Sequence, residues 1–254
     1  MNQAQMAGRC DHLIEQLASP DPAARRCAAG NLGDLHDARA VPALVETLSD
    51  LEAAVRESAV DALVVIGGQV VCEHVAPLLE AEDAALQNCA VDILEKVGPE
   101  SIDVLVAACH SASPEVKKLA LGILGKVARG CAGACLEGVV ALLGDDNAEV
   151  AKSAAEALGQ IGDARATPQL AKHLGDPPWM RLCVFSALSQ IGGVAALEAL
   201  ASVDVSQLSP FTKYSLDSAL KVTEVSVRRP QATRGQCTVM RSWGGRAANL
   251  WAQK

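Results

Sequence analysis

EVAKSAAEALGQIGDARATPQL, residues 149–170, decides the fold. With Val150 counted as position 4 of a unit, apolar residues follow at positions 8, 11, 12 and 15, namely Ala154, Ala157, Leu158 and Ile161. That spacing puts the side chains on one face of a helix turning about 100° per residue. Gly162 at position 16 suits a helix end, and Asn147 ahead of the run suits an N-cap. A shorter apolar segment, ARATPQL, follows, and its Pro168 fits a first helical turn or a kink.

The unit recurs. Position 4 is Ala24, Val55, Leu86, Val116, Val150 and Met180, at spacings of 31, 31, 30, 34 and 30 residues. Thr212 continues the series at 32, in the weaker copy FTKYSLDSALKVT. Gly67, Gly98 and Gly192 repeat the helix-end glycine, Asp21, Asp83 and Ser113 repeat the cap, and Pro42 repeats Pro168. Each unit is therefore a helix pair that cannot bury its apolar face alone, so the pairs must stack. The expected fold is all-α: a right-handed α-α superhelix of six to seven helix pairs over residues 1–223, followed by a basic tail, 224–254.

The D-x-x-V-R-x-x-A-A-x-A-L-G-x-I-G-D pattern of these copies resembles the HEAT-repeat family, in the short bacterial form also seen in phycobilisome-lyase-type repeats. The resemblance spans roughly residues 10–223. It implies a solenoid whose second helices line a concave side, and a residue at position 5 that ties neighbouring repeats through a loop Asp such as Asp37 or Asp163. Arg25, Arg56, Lys117, Arg181 and Lys213 form that ladder, with Gln87 and Ala151 as exceptions. Iron hydroxylases built on such repeats carry recurring His-Glu pairs, and none occurs here.

Composition narrows the function classes. Half of the 254 residues are apolar, yet only six are aromatic, and none precedes Trp179. Stacked helix pairs need small aliphatic contacts, which explains the gap; it also argues against aromatic-stacking nucleic-acid modules in the body. The net charge of −8 is split: residues 1–223 carry 16 basic and 29 acidic residues, whereas 224–254 carry six basic residues and one acid. The acidic body should repel nucleic acid and anionic membrane, while the tail, with Arg228 and Arg229, is open to either nucleic acid or an acidic partner. No signal-like start and no bilayer-length apolar run is present, so the expected compartment is the cytoplasm. An odd count of nine cysteines reads as free thiols.

Candidate chemistry is sparse. Cys27, Cys89 and Cys183 share position 7 with Ser58, Ser153 and Ser215, which is a packing pattern. Cys131 and Cys135 stand four apart, which on a helix is one face; packing is the expected role there too. Cys72-Glu73-His74 and Cys109-His110 occupy different repeat positions and need not converge on a metal. Walker A, dinucleotide, nucleophile-elbow and H-E-x-x-H patterns are all missing. The reading is a non-enzymatic scaffold with no cofactor and no metal. The alternatives are a bilin lyase subunit, implied by the phycobilisome-lyase resemblance, and nucleic-acid binding through the tail.

A binding surface is expected on positions 6, 10 and 13, which turn away from the core by about 140–200°. These are Arg26, Glu57, Asp61, Asn88, Asp92, Glu95, Lys118, Lys152, Glu156, Leu182 and Tyr214, a row of mixed charge with acids in its middle. Trp179 joins them at a helix start, as a contact residue with Tyr214, whereas Phe185 and Phe211 read as a cap on the last repeats. Trp243 and Trp251 lie in the tail. Three tail readings are open: a disordered recruiting peptide, a segment packed on the last repeats, or one folded into the acidic groove.

Overall fold

The computed structural model of the protein describes residues 3–228 except 132, 134 and 207. Fourteen α-helices are joined by short 3-10 segments, with no strand among the described residues. They form seven antiparallel pairs, an all-α solenoid. The first helices are α1 (Gln3–Gln16), α3 (Val41–Thr47), α5 (Gly68–Val75), α7 (Ile102–Ala108), α9 (Leu136–Ala141), α11 (Thr167–Lys172) and α13 (Gly193–Ala201). The second helices are α2 (Pro22–Leu35), α4 (Ala53–Ile66), α6 (Ala84–Val97), α8 (Pro114–Val127), α10 (Ala148–Ile161), α12 (Pro178–Ile191) and α14 (Pro210–Arg228).

The second helices begin and end for local reasons. From α2 to α12 each has 14 residues. Asp21, Asp83, Ser113 and Asn147 each accept a bond from a first-turn backbone N–H, as caps do. Gly67, Gly98, Gly162 and Gly192 all hold positive φ, from 58° to 78°, where the chain turns into the next first helix. The first unit makes the same turn with His36 at φ 51°. The fourth has Ala128 instead, and a longer connection to α9 absorbs the 34-residue spacing. Residues 131, 133 and 135 lie outside any helix, so Cys131 and Cys135 do not share a helical face: Cys131 is exposed, Cys135 buried.

The core follows the repeat. From α2 to α12, position 8 (Ala28, Ala59, Ala90, Ala120, Ala154, Val184) and position 12 (Leu32, Leu63, Leu94, Leu124, Leu158, Leu188) are all fully buried. Small residues at position 8 let the layers approach, and a leucine at position 12 fills the space between them.

The second helices do not all approach one another equally. α2 lies against α4, and α10 against α8 and α12, along most of their length; α6 meets α4 and α8 over a much smaller part. The close pairs have a shared cause. Gly33, Gly125 and Gly159, all at position 13, face Ala62, Ala157 and Ala187 at position 11 of the next unit. A Cβ on Gly33 or Gly159 would stand 2.8 Å from the opposing Ala Cα, and one on Gly125 3.3 Å. Around α6 the same two positions hold Val64 with Ile93, and Glu95 with Ile123, which keep the helices apart. Position 13 thus faces the neighbouring helix, a correction to its expected place in the groove.

The position-5 ladder also differs from expectation in its partners. Asp37 and Asp163 bond locally to Arg39 and Arg165. The acids that tie repeats together stand two residues before the next cap position: Asp50 takes both arms of Arg25, at 2.6 and 2.8 Å, and Asp145 takes Lys117 at 2.8 Å. These side-chain bonds hold both carboxyls below the ordinary aspartate range. Arg56, Gln87 and Arg181 bond backbone carbonyls of the loop before their own helix. The places corresponding to Asp50 are Ala81 and Ser111 at the α4/α6 and α6/α8 steps, so α6 is tied by no such acid on either side.

Candidate functional site: the groove of the second helices

The second helices meet one another along more of their length than the first helices do, and their outward row is the candidate groove. Positions 6 and 10 face outward from the core into this groove. Position 10 is exposed from end to end, including Asp61, Asp92 and Glu156. At position 6, Arg26, Glu57, Asn88 and Tyr214 are exposed, while Lys118, Lys152 and Leu182 are half-buried. Several charges are locally paired: Asp92 with Lys96 at 2.8 Å, Lys152 with Glu149 at 3.8 Å, and Lys118 with Glu115 at 4.0 Å. Glu95, at position 13, is half-buried and bonds Lys126 of α8.

Adding positions 3 and 14 completes the groove face, because residues 3, 6, 10 and 14 fall within about 80° of arc on a helix. From α2 to α10 this face is mostly small, polar or charged, and Val65 is its one exposed large apolar residue. At α12 it changes. Trp179 and Leu182 occupy positions 3 and 6 there, and on α14 the face is Phe211, Tyr214, Ser218 and Val222, extended by Val225. Trp179 is 42% exposed, Phe211 66%, Tyr214 74%, Val222 53% and Val225 52%. Phe185 is buried and belongs to the core, with α14 still packed beyond its helix. Phe211 is exposed, a correction to its expected capping role: at position 3 it turns into the groove rather than toward α12.

The signal for this face lay in the sequence, since the same spacing runs through every unit; positions 3 and 14 were the residues that reasoning from single positions missed. α14 continues past 223 to Arg228, and Thr223 is fully buried within it. Arg229, Trp243 and Trp251 lie outside the described residues.

Elsewhere the titratable groups are structural in character. Cys72 and Cys109 are buried, and burial pushes their thiols up to about 11 and about 12, so both stay protonated at neutral pH. Partly buried Cys89 and Cys183 are shifted up for the same reason. His74 and His110 are exposed, and no cluster of three or more His, Cys, Asp or Glu suited to a metal occurs among the described residues. Two shallow open depressions, of about 390 and 450 Å³, flank the α8–α9 loop and share Cys131. The groove face contributes to neither. No described helix is long and apolar enough to cross a membrane.

Seven stacked helix pairs define an α-solenoid repeat protein. The chain belongs to the HEAT-repeat family: the HEAT repeats model matches residues 10–92, 102–181 and 136–207. It is similar to a protein described as uncharacterized phycocyanin operon protein Z from the cyanobacterium Pseudanabaena tenuis, with 25% identity over 198 residues covering 73% of this chain and 96% of that one. Among solved structures it is similar to a HEAT-like repeats protein from the archaeon Thermococcus onnurineus, at 15% identity and a TM-score of 0.42, covering 88% of this chain and 94% of that one. Human deoxyhypusine hydroxylase aligns at 22% identity and a TM-score of 0.44, covering 85% of this chain and 84% of that one.

Proposed function

We propose that the chain is a non-enzymatic scaffold that seats a protein or peptide partner along its groove. Trp179, Leu182 and Tyr214, with Phe211, Val222 and Val225, act as the anchor. Arg26, Glu57, Asp61, Asn88, Asp92, Lys118, Lys152 and Glu156 orient the partner by charge. The observation that carries this reading is the change of one continuous face from charged to apolar at α12 and α14. Single exposed apolar residues are ordinary, but an aligned set with aromatic members matches the anchors that dominate protein interfaces. Charges on the rest of the row contribute steering and register more than affinity. Affinity capture from the source cells tests it, with the full chain as bait beside the Phe211→Ser/Tyr214→Ser double variant. A partner retained by the first and lost by the second is expected; equal retention would move binding away from this face.

The cyanobacterial relative favours a second reading, a bilin lyase subunit acting on a phycobiliprotein, because that relative is described as a phycocyanin operon protein. Co-expression with a linear tetrapyrrole and a phycocyanin subunit discriminates. A coloured, covalently loaded product supports the lyase; no such product leaves the scaffold alone.

A further inference from the structure

We infer that the third helix pair, α5/α6, is a hinge at which the block α1–α4 swings against the block α7–α14, so that the charged and the apolar parts of the groove change their spacing. The bending is independent of what binds; its use in fitting the groove to a partner rests on the reading of the groove as a binding face.

Two devices fix the spacing of the second helices inside the blocks. Glycine at position 13 brings the backbone of one helix against the alanine of the next, at Gly33/Ala62, Gly125/Ala157 and Gly159/Ala187. Backbone against backbone leaves no rotamer to adjust, so such a step resists a change of spacing. The second device is the tie from position 5 to the loop acid, Arg25 to Asp50 and Lys117 to Asp145. Both devices are missing on both sides of α6. Val64 with Ile93, and Glu95 with Ile123, stand where the glycine and alanine would be, and Ala81 and Ser111 stand where the acids would be. Side chains that interdigitate between helices permit the small sliding and rolling by which packed helices shear.

The third pair is nevertheless a sound unit. α6 lies against α5 and against the 3-10 turn Ala76–Glu80, and Ala90, Ile93 and Leu94 are fully buried. Bending therefore moves this pair as a body and leaves its core covered. The bonds that cross the two steps at helix ends act as straps. The Gly68 N–H donates to the Glu100 carboxylate at 2.7 Å, joining the turn after α4 to the turn after α6. The Ser111 hydroxyl donates to Glu80 at 2.9 Å, joining the loops before α6 and α8. Along the shafts, Glu95 meets Lys126 of α8 at the surface, where two long side chains follow a change of spacing. The hinge stands between Arg26, Glu57 and Asp61 on one side and Trp179, Leu182 and Tyr214 on the other. A partner that touches both sides selects one spacing from the range.

Pulsed dipolar electron paramagnetic resonance on the full chain tests the hinge, because it reads a distribution of distances. Nitroxides carried on p-acetylphenylalanine leave the nine cysteines untouched. The sites are Asp61, Gly122 and Ser186, all at position 10 and all exposed. Asp61 to Gly122 spans two steps through α6, and Gly122 to Ser186 spans two steps through α10. The first distribution should be about twice as wide as the second, since only the first crosses steps without backbone contact. Equal widths would overturn the inference. Ala81→Asp restores, at the α4/α6 step, the acid that Asp50 supplies to Arg25, with Arg56 in the equivalent place. It should narrow the first distribution toward the second; an unchanged width would overturn the missing tie as a cause of the bending. No partner is present in this measurement, so its failure is distinct from failure of the capture experiment.

Discussion

The α8–α10–α12 stack and the α4–α6–α8 stack are built from the same 14-residue helix and the same position-12 leucine, yet they pack differently. In the first, Gly125 and Gly159 admit Ala157 and Ala187 to backbone contact, and Lys117 and Asp145 tie α8 to the loop before α10. In the second, Val64, Ile93, Glu95 and Ile123 fill those positions, and neither step carries the acid. The difference teaches that the leucine layer sets that the repeats stack, while two small residues per step set how closely. α2 and α4 repeat the close arrangement with Gly33, Ala62, Arg25 and Asp50, so the looser α6 step separates two tighter blocks.

The largest expected effects test whether the loose step is loose in its core as well. Leu158→Ala and Leu94→Ala should each destabilise by about 2–5 kcal/mol in denaturant melts, because both leucines are fully buried. A Leu94→Ala cost well below that of Leu158→Ala would show that the α6 layer is open and not merely more widely spaced. Next comes the glycine contact. Gly159→Ala should cost about 1–3 kcal/mol, since its Cβ meets the Ala187 backbone. Gly122→Ala on the open groove face of α8, where a Cβ meets nothing within 4 Å, should instead stabilise by about 0.5–1 kcal/mol. Two changes of the same sign would remove the steric basis of the comparison.

Similar in size to the Gly122 gain is the effect expected beneath the tight stack, where Thr167 Oγ1 is buried without a hydrogen-bond partner. The corresponding residue is Val41 in the second pair and Ile102 in the fourth. Thr167→Val should therefore stabilise by about 1 kcal/mol, read as a raised melting midpoint. Acid gives the most local effect. Asp50 and Asp145 have lowered folded values, so their pairs contribute fully above the ordinary carboxylate range, and that contribution is lost as pH falls through the lowered values. Hydrogen exchange measured down a pH series, corrected for intrinsic rates, should show the α2/α4 and α8/α10 steps losing protection while α6 changes less. Uniform loss across all steps would assign acid sensitivity to groups other than these two pairs.

The sequence by itself determined the helix pairs, their caps and ends, the buried positions 8 and 12, and the outward turn of positions 6 and 10. All of these follow from the 3.6-residue period and from the backbone demands of caps and positive-φ turns, which act within one unit. Position 13, the partners of the ladder, the non-helical placement of Cys131 and Cys135, and the exposure of Phe211 were decided only by the tertiary structure. Each depends on what the neighbouring unit places opposite, and a period within one helix carries no record of its neighbour. The apolar end of the groove belongs to both accounts: its residues are spaced by the repeat, and the stacking of α14 on α12 joins them into one face.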